Sequence, residues 1–277
     1  MSSQGSASTD TVAAVSAAMR LPGVAKPPVR VGGRWFWIER PADRPGQVLV
    51  VQDDDGTRRV LLDPIRHNSA PGPSRGGWVV GPRGPDGEQY VVVDDYGEEA
   101  SDAATAGLVI DVRTGEMVRR INPRVIGVGF RSPTEFVYEK LVVNKETGVQ
   151  RIPLRVHDIT TGDDRLFTTA DVDYDDNYAH GFVRSPDGRW FVITETADIF
   201  GLGNRTSLQD LHTGHTYVHG EDRAAIVRPY FGTDGALLLE VDGEIQRMDL
   251  ADTSPDAVRA ALAAPEVLLP AEEDALV

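Results

Sequence analysis

The chain of 277 residues has no cysteine. Disulfides, thiol nucleophiles and thiolate metal sites are excluded together. The same absence agrees with a cytoplasmic location, the one expected here. Positive charge is in short supply: the formal net charge is −15 at pH 7. Nucleic acid and anionic membrane surfaces would be repelled, and neither is expected as a partner. No apolar run approaches the roughly 18 residues that span a bilayer. Met1–Ala18 is rich in Ser, Ala and Thr but has no basic start and no continuous apolar stretch, so no secretory signal is read there. A phosphate-binding loop is lacking as well. Gly201-Leu202-Gly203-Asn204 is too short and no Lys-Ser/Thr follows it.

What is present is turn chemistry. The 28 glycines and 18 prolines favour many short elements over a few long helices. After a leader at 1–28, flexible or weakly helical, Gly33 to Glu39, Gln47 to Gln52 and Thr57 to Leu62 read as a three-stranded antiparallel meander. Its hairpin turn is Asp53-Asp54-Asp55-Gly56. The same grammar returns along the chain. Arg184-Ser185-Pro186-Asp187-Gly188-Arg189-Trp190 is its clearest copy, a turn that runs straight into β-branched and aromatic residues.

Two markers share a register. Pro-Asp-Gly-like turns fall at Pro85, Pro133, Pro186 and Thr233, and Asp-x-x-Thr-Gly turns at Asp111, Asp158 and Asp210. Both repeat at about 50 residues, the period of a four-stranded blade. The expected fold is therefore all-β, a β-propeller of about five four-stranded antiparallel blades. The blades are placed at 33–75, 76–122, 123–170, 171–222 and 223–277. Ser254-Pro255-Asp256 starts a short helix over Ala257–Ala264. Glu266 to Pro270 reads as one more strand, where a sixth unit would begin or where a closing strand would pair beside Trp35 to Glu39.

Candidate chemistry is sparse. A serine hydrolase of the α/β type carries its nucleophile on a Gly-x-Ser-x-Gly elbow; no serine is read in that frame, and none is expected as a nucleophile. Ser132 and Ser185 precede prolines in turns and are read as backbone partners. His215, Tyr217 and His219 would share one strand face, with His212 before them, but no carboxylate is placed as a third ligand. Asp171 to Asn177 alternates acids like a calcium loop. Asp176 stands where that loop needs Gly, and Phe182 where it needs Glu. No catalytic, cofactor or metal residue is assigned, and no cofactor. The acids of the Asp-x-x-Thr-Gly turns are read as structural, and the consecutive Trp35, Phe36 and Trp37 as packing at least one ring between blades.

Three stretches carry a resemblance. Gly33-Arg34-Trp35-Phe36-Trp37 is followed by Pro45 to Asp53 and by Arg59-Val60-Leu61-Leu62-Asp63-Pro64. Ser185 to Trp190 forms the second and Pro265 to Glu273 the third. Together they resemble the propeller domain of the prolyl oligopeptidase family of serine peptidases. The resemblance implies a propeller that caps an α/β-hydrolase domain and admits only short peptides to it. Seven blades are usual in that family. Its catalytic residues lie in the hydrolase domain, so none is carried over to this sequence. The implied partners are that peptidase domain and short peptide substrates, with proline-specific cleavage. The reading is a partial or truncated propeller, inactive by itself. The second reading is a free-standing propeller that binds a protein or ligand. A third, a glycosidase with paired carboxylates in a channel about 5–10 Å apart, has no residues to single out among the 43 acids.

Overall fold

The computed structural model describes residues 28–42, 47–63, 78–96, 105–121, 125–140, 142–143, 146, 150–168, 178–196, 204–221, 227–241 and 243–269. The leader up to 27, the acidic stretch 171–177, the glycine pair at 201 and 203, and the tail from 270 lie outside them. Two compact units are formed, Met1–Arg124 and Val125–Val277.

The first unit holds two sheets. One is Val29–Val31 (β1), Arg34–Glu39 (β2), Val48–Gln52 (β3) and Arg58–Leu62 (β4), hydrogen-bonded in chain order. The expected three-stranded meander thus gains β1, set on β2 by the tight turn Gly32-Gly33. The other is Trp78–Val80 (β5), Tyr90–Tyr96 (β6), Thr105–Asp111 (β7) and Met117–Ile121 (β8). Phe36, Ile38, Leu49, Val51 and Leu61 of the first sheet pack with Val91, Val93, Leu108 and Ile110 of the second. Each such side chain contributes roughly 1.5–3 kcal/mol when fully buried. Phe36 has no exposed surface. Its neighbours Trp35 and Trp37 turn to the opposite face with Val48 and Val50, as alternation along a strand requires.

The second unit holds three four-stranded sheets. Val125–Phe130 (β9), Glu135–Lys140 (β10), Leu154–Asp158 (β13) and Asp164–Leu166 (β14) form one. Between β10 and β13 the chain makes a small ribbon of Val142–Val143 (β11) and Gln150–Arg151 (β12). The stretch Phe136 to Val143 is divided between two elements, because β10 and the ribbon pair with different partners. The next sheet is Tyr178–Arg184 (β15), Trp190–Thr196 (β16), Asn204–Asp210 (β17) and Thr216–Glu221 (β18). The last is Val227–Phe231 (β19), Leu237–Val241 (β20), Glu244–Met248 (β21) and Glu266–Leu269 (β22). Strand β16 shows why its sequence is a continuous apolar run. Phe191 and Ile193 join Val137, Leu154 and Val156 of the sheet before, while Trp190 and Val192 join Leu237, Leu239 and Val241 of the sheet after. Both faces are covered, so polar alternation is lost.

The single described helix, Pro255–Ala263 (α1), interrupts the last sheet between β21 and β22. Proline stands in its first turn, and Ser254 precedes it without making a side-chain cap. Val258 and Leu262, one turn apart, are buried against Tyr217 and Trp190. Strand β22 pairs with β21, Gln246 opposite Val267. It neither begins a sixth unit nor sits beside Trp35–Glu39, since β2 has β1 on one side and β3 on the other. An outer strand was still wanting on β21, and β22 supplies it.

Candidate functional site

In each of the five sheets the strands run antiparallel in sequence, apart from the insertions. The first and third connections therefore share one end of a sheet, and the second connection takes the other. The shared end is built from the two repeated turns. In the turns at Asp111, Asp158 and Asp210 the carboxylate Oδ1 accepts the N–H of Arg113 (2.7 Å), of Thr160 and Thr161 (2.8 and 2.9 Å), and of His212 (2.9 Å). The glycine four residues on donates to the aspartate carbonyl each time, at 2.8, 2.8 and 2.7 Å. The residue after each aspartate donates across to the preceding turn: Val112 to Gln89, Ile159 to Thr134 and Leu211 to Arg189. These acids satisfy backbone amides.

Asp210 is also the partner of Arg189 at 2.8 Å, with its side chain 3% exposed. Burial pushes its carboxyl up. The Arg189 guanidinium and the amides of His212 and Thr213 outweigh that and hold it below the ordinary 3.8.

Ser185 has a neighbourhood that invites a catalytic reading, with Asp187 beside it and His212 close enough to be felt by that carboxylate. The hydrogen bonds decide against it. Ser185 Oγ donates to Asp187 Oδ1 at 2.5 Å and accepts the Trp190 N–H at 2.8 Å, and the residue is 3% exposed. A nucleophile would give its proton to an imidazole and face solvent. Ser132 is occupied in the same manner by the amides of Thr134 and Glu135.

One concave site of about 510 Å³ lies between β18 and α1. It is lined by His215, Thr216, Tyr217, Val218 and His219 on one side and by Arg259, Leu262 and Ala263 on the other. His215, Tyr217 and His219 all line this groove, as do Thr216 and Val218 between them, while His212 does not. The His215 ring stands edge-on to Tyr217 at 4.5 Å between centroids, and the Arg259 guanidinium lies 6.0 Å from the Tyr217 ring. Among the described residues no three His, Asp or Glu side chains converge as metal ligands. The same residues include no helix long and apolar enough to cross a membrane.

No protein-family model matches the sequence, and no curated protein matches it. Solved structures do. A prolyl endopeptidase is similar at a TM-score of 0.63 and 16% identity, over 96% of this chain and 41% of its own. Oligopeptidase B from Trypanosoma brucei is similar at 0.53 and 14%, over 89% and 34%. The propeller domain of the trilobed protease from Pyrococcus furiosus is similar at 0.50 and 11%, over 79% and 64%. This chain has a β-propeller fold. It spans about two fifths of the length of the prolyl endopeptidase it matches, and its described residues include the five four-stranded sheets above.

One feature of the propeller sequence corrects the expectation for serine. Gly72-Pro73-Ser74-Arg75-Gly76 does have the letters of a nucleophile elbow. The elbow needs a helix leaving the serine. Strand β5 opens at Trp78, two residues after Gly76. Ser74 itself lies outside the described residues. The groove between β18 and α1 is what residue-by-residue reading missed. Its two walls are some forty residues apart in the chain, and only the His-x-Tyr-x-His alternation signalled one of them.

Proposed function

We propose that this chain is the substrate-gating propeller of a prolyl oligopeptidase-like serine peptidase, working with an α/β-hydrolase domain that carries the catalytic serine. The observation that carries the reading is the similarity to a prolyl endopeptidase over 96% of this chain. Ser185 and Ser132, both spent on backbone turns, agree with a non-catalytic part. The propeller would restrict access, so that short peptides are cleaved after proline and long chains are not. The site of cleavage would be cytoplasmic.

Hydrolysis of a Gly-Pro-linked fluorogenic peptide tests it. The purified chain is expected to give no turnover. Co-expression with the reading frame that follows it in the genome is expected to give turnover, together with labelling of a serine outside these 277 residues by a fluorophosphonate. Turnover by the chain alone, or a following frame without a strand–serine–helix elbow, overturns the proposal. The second reading, a free-standing propeller that binds a protein or ligand, is favoured by one observation, the groove beside β18.

A further inference from the structure

Among the described residues each four-stranded sheet ends in an outer strand whose far edge pairs with no further strand, and unprotected edges recruit other strands. Four of the five are blunted. Strands β4, β8 and β22 each carry a register shift against their neighbour, and β14 is three residues long. Strand β18 differs. It runs six residues, Thr216 to Glu221, in unbroken register with β17. It has neither Lys nor Pro, and Val218 on it is 48% exposed.

The groove runs along this edge. Five consecutive residues of the chain, His215 to His219, line it. A pocket over a sheet face would be lined by alternate residues, because successive side chains point to opposite faces. Helix α1 forms the far wall and leaves the space beside β18 open. An edge strand with a helix standing off it is the arrangement that accepts a peptide as an added strand.

Side chains define what would fit. Leu262 and Ala263 offer an apolar wall, and Arg259, His215 and His219 are the basic groups of the lining, with no Asp or Glu among its residues. On a chain of net charge −15 this rim is a local exception. Arg259 is held by Asp256 at 3.1 Å in an exposed pair, which water and salt weaken and a ligand carboxylate can displace. The Thr216 hydroxyl is buried with no hydrogen-bond partner, available to an incoming group.

We propose that this groove binds an extended peptide segment of another protein. The segment adds as a fifth strand to the fourth sheet, sets an apolar side chain against Leu262 and Ala263, and places a carboxylate at Arg259. The proposal stands independently of the peptidase reading.

The test uses the whole chain and short fluorescein-labelled peptides of alternating Val and Thr, with Glu, Gln or Lys at the centre, followed by fluorescence polarisation. Saturable binding in the order Glu, Gln, Lys is expected. Arg259→Glu should weaken the Glu peptide by about tenfold, the scale of one charge-assisted contact, and reverse the order. Val218→Lys, at an exposed position, should weaken all three by blunting the edge, with the circular dichroism spectrum unchanged. Absence of saturable binding overturns the proposal, as does an order indifferent to Arg259→Glu. A concentration-dependent dimer abolished by Val218→Lys would give the edge to a second copy and also overturn it.

Discussion

Gly181 of β15 stands directly against Pro229 of β19. A Cβ on the glycine would lie 2.6 Å from the proline Cδ and 3.0 Å from Thr194 Oγ1. The first strands of the fourth and fifth sheets approach this closely because one of them has no side chain at the contact. Gly129 of β9 repeats the device against Phe182 of β15, where a Cβ would meet Phe182 Cβ at 2.3 Å. Gly181→Val is expected to lower stability by about 1–3 kcal/mol through overpacking. The measurement is urea unfolding, with a lower midpoint at unchanged slope. Val142→Ala, at a position 43% exposed, serves as the control and should shift stability by less than about 0.5 kcal/mol.

Ser185→Ala removes the acceptor of the Trp190 amide and the donor to Asp187. Trp190 is 2% exposed, so its N–H would be left without water or partner. The expected cost is about 1–3 kcal/mol. Ser185→Thr, which keeps the hydroxyl, should recover part of it. A change in stability with no change in binding to any peptide marks the serine as architecture.

The strands that were legible are those buried on both faces. Val48 to Val51, Val91 to Val93 and Phe191 to Ile193 are continuous apolar runs because both faces of each strand are buried. Two of the outer strands, β8 and β14, were not. Met117–Ile121 reads MVRRI and Asp164–Leu166 reads DRL, sequences that face water and carry no period. Strand β22 was legible as a strand but not in its pairing. Its partner β21 is recovered only after a helix whose insertion nothing local announces. The groove had the same obstacle: His215, Tyr217 and His219 show a period of two, while Arg259 and Leu262 belong to a helix with its own period of one turn. Sequence spacing within either segment says nothing about the other.

Asp187 and Asp210 both titrate below the ordinary 3.8. Burial opposes this in each case, and the hydrogen bonds from Ser185 to Asp187 and from Arg189 to Asp210 overcome it. A carboxyl depressed in the folded state contributes its stabilisation fully above the unfolded value. That contribution is lost as pH falls through the folded value. The propeller is therefore expected to hold constant stability from these groups above about pH 5 and to lose it below about pH 4. Asp210→Asn should cost about 1.5–3 kcal/mol at pH 7, the scale of hydrogen bonds to a charged group. The gap between variant and wild type should narrow as pH drops below about 4. Chemical denaturation at a series of pH values checks both; a gap independent of pH would assign the loss to packing.

Ser74 gives the sharpest contrast between letters and structure. Its Gly-x-Ser-x-Gly frame would, in an α/β hydrolase, hold the nucleophile at a strand-to-helix turn. In this chain β5 begins at Trp78, four residues after the serine, and the residue directly before the serine is Pro73, which has no amide N–H to donate. An activated serine also needs an imidazole to take its proton. The purified chain is expected to show no labelling by a fluorophosphonate, and Ser74→Ala is expected to leave both the labelling and the stability unchanged, within about 0.5 kcal/mol. Labelling that disappears in Ser74→Ala would make this propeller an enzyme in its own right, and the gating proposal would then fail for this chain.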